Sequence, residues 1–88
     1  MKILFTPSFT RALRTLWKKN PELENVFWKK VEIFHHSPFH TSLKTHNLGG
    51  KLKGLRSFSL TKDIRIVFEF MPDGTALFSN IGDHDEVY

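Results

Sequence analysis

Three side chains that exchange protons near neutral pH lie in separate stretches of this chain: His46, Asp63 and His84. Imidazole and carboxylate are the groups suited to accept and return a proton at pH 7. Metal-free cleavage of RNA needs such a transfer. A base takes the 2′-hydroxyl proton, the freed oxygen attacks the neighbouring phosphorus, and an acid protonates the departing 5′-oxygen. Each residue alone also has an ordinary explanation, since a loop histidine is commonly a surface residue and an aspartate in a turn is commonly there for its turn chemistry.

A second group could hold the substrate. Lys44, Lys51, Lys53 and Arg56, with His40 and His46 beside them, form a run from 40 to 56 that contains no acid. Such a run can neutralise phosphates and release counterions, and Gly49, Gly50 and Gly54 would let a backbone approach closely. A solvated loop whose lysines face only water fits the same composition. No metal is expected: HExxH or comparable spacing is absent, and Asp83-His84-Asp85 alone does not define a site. His35 and His36 close a helix, where they favour the negative end of its dipole.

The elements that must position these residues read as follows. Residues 2–6 form a β-branched and aromatic strand punctuated by Thr6-Pro7-Ser8. Ser8 then caps a helix whose stripe is Phe9, Leu13, Leu16 and Trp17 and which ends near Asn20. Asn20-Pro21-Glu22 restarts the chain as a second helix, with Asn20 as N-cap, Pro21 at its first position and the stripe Leu23, Val26, Phe27, Val31 and Phe34. The short connection predicts an antiparallel helical hairpin. Residues 37–50 read as a long loop, a type that usually has a job. Beyond Leu55 the period becomes two, with turns at Thr61-Lys62-Asp63 and Pro72-Asp73-Gly74, giving a three-stranded antiparallel meander that ends near Ile81. The predicted fold is α+β, in the order β-α-α-β-β-β, as one domain over residues 1–88. Outward positions on the sheet include Ser57, Ser59, Arg65 and Glu69, polar residues that read equally well as ordinary solvated surface.

Composition narrows the classes. The 88 residues include no cysteine, which excludes disulfides, thiolate zinc and a cysteine nucleophile. Apolar runs reach three residues, far short of the roughly 18 that span a bilayer. With no secretory h-region after Met1-Lys2, the expected location is the cytoplasm. Residues 1–60 carry 11 basic and 3 acidic side chains, and residues 61–88 carry 2 and 6, so the net +4 conceals a positive face and an acidic patch.

The stretches His46-Asn47-Leu48-Gly49-Gly50-Lys51-Leu52-Lys53-Gly54-Leu55-Arg56, Asp63-Ile64-Arg65-Ile66-Val67-Phe68 and Ile81-Gly82-Asp83-His84-Asp85-Glu86-Val87-Tyr88 resemble the RelE/ParE toxin superfamily, and within it the YafQ-like messenger-RNA endonucleases. The Leu-x-Gly-x-x-x-Gly-x-Arg pattern is superfamily-wide, whereas the pairing of His46 with Asp63 and the late Gly-x-His point to the nuclease branch. The resemblance implies a toxin of a type II toxin–antitoxin system that cuts messenger RNA on the ribosome, needs no cofactor, and is silenced by an antitoxin in a hetero-oligomer. It implies proton transfer by His46 and Asp63, a late histidine near the scissile phosphate at His84, and a terminal aromatic that stacks on RNA at Tyr88. Arg65 matches an arginine that stabilises charge on the phosphate. Ser59 departs from the pattern, standing where relatives carry histidine or lysine.

Two other functions fit the same resemblance. A ParE-like protein would inhibit a DNA topoisomerase by binding alone, with no use for a proton-transfer set. A decayed relative, which Ser59 makes conceivable, would only bind antitoxin.

Overall fold

The computed structural model describes residues 1–83. Strand β1 (Ile3–Phe5) leads into helices α1 (Pro7–Lys19) and α2 (Leu23–His36), followed by β2 (His46–Asn47), β3 (Arg56–Ser59), β4 (Ile64–Phe70) and β5 (Ala76–Asp83). These strands form one sheet in the order β1-β5-β4-β3-β2, parallel between β1 and β5 and antiparallel elsewhere. The expected α+β order is present. One strand was not expected: the segment 37–50 holds the 3₁₀ turn Thr41–Leu43 and the edge strand β2.

Both helix starts differ from the sequence reading. Pro7 occupies the first position of α1, where its fixed φ suits a helix and its missing N–H costs nothing. The cap therefore falls on Thr6, whose Oγ1 accepts from Phe9 N at 3.1 Å, and Ser8 lies inside the first turn. Asn20 is committed to closing α1 through its own N–H to Leu16 O, so α2 begins at Leu23 after a turn bonded from Leu23 N to Asn20 O and from Glu24 N to Pro21 O.

The helices fold back on each other, with the Trp17 and Phe27 rings 5.4 Å apart, and cover one sheet face. Phe9, Leu13, Phe27 and Phe34 pack there against Phe58, Leu60, Ile66, Phe68, Phe78 and Ile81. Phe78 and Ile81 both point inward despite their odd spacing because Ser79 is an extra residue: Val67 pairs with Asn80, yet Phe68 pairs with Phe78. Bulge side chains occupy nearby backbone groups, Ser79 Oγ donating to Val67 O and Asn80 Oδ1 accepting from Ile81 N. Among the described residues no helix is long and apolar enough to cross a membrane.

Candidate functional site

His46 is exposed on β2, opposite Ser57 of β3. A chain of local contacts delivers it there. Leu43 is fully buried beneath the 3₁₀ turn, which His40 caps by accepting from Ser42 N at 3.1 Å on Nδ1. Lys44 then reverses the chain in the left-handed region (φ +50°), the only described non-glycine residue with positive φ. Thr45 Oγ1 donates to Pro38 O at 2.7 Å.

Ser57 and Arg65, read from sequence as solvated, are buried instead, at 0% and 8% exposure. Register puts His46, Ser57, Ser59, Arg65 and Val67 on the face away from the helices. There the Arg65 side chain lies across β3. Its Nε donates to Ser57 Oγ at 2.9 Å, and its Nη2 donates to Lys44 O at 2.8 Å and Ser57 O at 3.2 Å. Ser59 is also spent locally, its hydroxyl donating to Thr61 O at 2.6 Å across the β3–β4 turn.

Asp63 is exposed in that turn, its N–H donating to Thr61 Oγ1 at 3.3 Å. His46 lies level with Val67, two strands over, and Asp63 comes four residues before Val67. Ordinary strand spacing and rise then separate the backbones of His46 and Asp63 by roughly 15 Å. The two side chains flank a stretch of sheet and do not touch.

The basic run is divided. Lys44, Lys51 and Lys53 are exposed, but Arg56 shares the core-facing side of β3 with Phe58. Its guanidinium lies 5.8 Å from the Phe39 ring centre and 5.4 Å from that of Phe70, and its buried Nε has no hydrogen-bond partner among the described residues. Arg56 and Lys53 still line one cleft of about 300 Å³ with Asn47, Leu48, Gly49 and Gly54. Gly50 (φ +62°) and Gly54 (φ +91°) hold left-handed backbone that suits glycine, and among the described residues, apart from the chain immediately around each, no protein atom lies within 4 Å of where a Cβ would sit. Among the described residues no group of three His, Asp or Glu side chains could hold a metal.

No protein-family model and no curated protein matches the chain. Solved structures do. YafQ from E. coli is 18% identical over 99% of this chain and 97% of its own, with a TM-score of 0.80, and has also been solved in a DinJ–YafQ toxin–antitoxin complex. A YoeB/ParE toxin from Agrobacterium tumefaciens is 19% identical over 96% of this chain and 99% of its own, with a TM-score of 0.81. A metal-bound toxin from Helicobacter pylori is 26% identical over 100% of this chain and 99% of its own, with a TM-score of 0.82. The fold is that of the RelE/ParE toxins.

Within this RelE/ParE fold, His84 and Tyr88 lie outside the described residues. Sequence reasoning missed two features: the tie from Arg65 to Ser57 and Lys44, and the seating of the Arg56 guanidinium against the Phe39 and Phe70 rings. Phe39, an aromatic just after Pro38 in a polar stretch, was the available signal for the second. Nothing in the sequence marks Lys44 as left-handed.

Proposed function

We propose that this protein is the toxin of a type II toxin–antitoxin pair, and that it cuts messenger RNA on the ribosome, in the cytoplasm, without a metal. The observation that carries the reading is the pair of exposed proton carriers, His46 and Asp63, flanking one outer stretch of a RelE/ParE-fold sheet. An in-line displacement needs its base and its acid on opposite sides of the phosphorus. A backbone separation of roughly 15 Å leaves, once both side chains reach inward, space for a phosphodiester with a hydrogen bond at each side. Residues in mutual contact would leave none.

By resemblance, His84 adds an imidazole near the scissile phosphate and Tyr88 a surface for a base. Lys44, Lys51, Lys53 and Arg56 hold the RNA backbone, and Arg65 answers the charge building on the phosphate. The burial of Arg65 favours an indirect version of that last role.

The test is induction in cells with mapping of the 5′ ends produced. The wild type is expected to arrest growth and leave cuts within translated messages, and His46→Ala or Asp63→Ala to lower cleavage by about 10²–10⁴-fold. Undiminished cutting in both variants removes the mechanism. The expected partner is an antitoxin that lays an acidic or amphipathic segment over the basic residues of the first 60, complementary charge speeding the encounter. A DinJ–YafQ toxin–antitoxin complex on the same fold supports such a pairing.

One observation favours a second reading. Ser59 and Arg65 are both occupied by bonds within the protein, which withdraws two family positions from direct chemistry and suits a ParE-like toxin that binds a DNA topoisomerase. Loss of topoisomerase activity on adding the purified protein, with messages left intact, would establish that reading over the first.

A further inference from the structure

Arg65 is a buried cation that takes no part in any ion pair found among the described residues. A hydroxyl and two backbone carbonyls meet its charge. These three bonds employ Nε and Nη2, leaving only the Nη1 hydrogens of a side chain that is 8% exposed. The two residues so held are not arbitrary. Ser57 is the cross-strand partner of His46, and Lys44 is the turn residue two positions before it.

The strand that carries His46 is flanked by the buried Leu43, the Thr45–Pro38 bond and a bond from Leu48 N to Leu55 O at 2.9 Å, but its own pairing is slight. It is two residues long and, among the described residues, lies at the sheet edge and pairs only with β3. So short a strand is marginal by pairing alone. Lys44 sits in a conformation that side chains disfavour, and a charged donor on its carbonyl adds to the bond from Lys44 N to Thr41 O in holding that turn.

We propose that Arg65 is a positioning residue for His46: acting through the Lys44 carbonyl and through Ser57, its guanidinium fixes β2 and the imidazole it bears, and it does not itself touch the RNA phosphate. The planar fork matters because the bonds leave from two separate nitrogens, Nε and Nη2, held in one rigid plane, whereas the three donors of an ammonium radiate from a single atom on a flexible stem. The inference rests on the reading of His46 as a proton carrier, and the experiment separates the two.

Arg65→Lys, His46→Ala and the double variant are made in the full chain. In the RNA-free protein, Arg65→Lys is expected to lower amide-exchange protection across the β2–β3 pairing by about tenfold or more and to move the His46 imidazole resonance, while β4–β5 keeps its protection. In single-turnover cleavage of a defined message on purified ribosomes, Arg65→Lys is expected to cost about tenfold in wild type but less than about threefold when added to His46→Ala. Losses that multiply, or lost cleavage with β2 protection unchanged, overturn the proposal in favour of direct contact with phosphate. Should Arg65→Lys fail to fold, Ser57→Ala removes one acceptor and is expected to lower β2 protection by a smaller factor; no change there also overturns it. If His46→Ala cuts as fast as wild type, the nuclease reading fails, and the exchange measurement alone decides whether Arg65 holds β2.

Discussion

Residue identity acts here mainly through which backbone group a side chain can reach. Asp73 shows this outside the candidate site. Its carboxylate accepts from the Thr75 backbone N–H at 2.9 Å, and that bond, with one from the Thr75 hydroxyl and the nearby Lys2, holds its pKa below the ordinary carboxylate value. The ionised form is therefore favoured in the fold. Its contribution is present above the unfolded pKa and is lost as pH falls through the folded one, in the window below about pH 4. Asp73→Asn is thus expected to lose less stability than wild type between pH 6 and pH 3. Urea midpoints at the two values check it, and equal losses would sink the assignment. Candidate proton carriers can be picked by type in the sequence, and the two that the structure describes, His46 and Asp63, are both exposed. The occupation of Arg65 was not legible, because its partners are backbone carbonyls and a hydroxyl 8 and 21 residues away. No local pattern records such bonds.

Elements follow from periodicity and proline, with errors where two signals compete for one residue. The stripes on α1 and α2 were readable because burial repeats along them, with Phe9 and Leu13, and Phe27 and Phe34, all buried, whereas β4 was readable by side-chain type although Arg65, Ile66, Val67 and Phe68 are all buried. The first cap was misread because Pro7 looks like a stop and acts as a first helical residue. Thr6→Ala is accordingly expected to cost about 1 kcal/mol, and Ser8→Ala less than about 0.5 kcal/mol. Denaturant midpoints with unchanged slopes measure both, and equal costs would return the cap to Ser8. β2 escaped notice since two residues carry no period, and the Ser79 bulge escaped because an extra residue breaks the very alternation used to find strands.

At the scale of the molecule, one aromatic core joins the helices to the sheet. Phe34 alone meets Phe58, Phe68 and Phe78 at ring distances of 5.0, 4.8 and 5.1 Å. Charge is arranged outside that core, with the excess of lysine and arginine in residues 1–60 and of acid beyond. If the exposed Lys51 and Lys53 hold phosphates, the double variant Lys51→Ala/Lys53→Ala weakens association with ribosome-bound message and reduces the slope of log affinity against log salt by about one per contact removed. An unchanged slope would show those lysines to be merely hydrated. The fold class was visible in the order of elements, but the place of β1 was not, since its partner is the farthest strand in the chain. That partnership is sealed at both ends, by Ala76 N to Lys2 O at 2.9 Å and by Thr6 N to Phe78 O at 3.0 Å. During synthesis the first strand therefore waits unpaired until the last has cleared the exit tunnel.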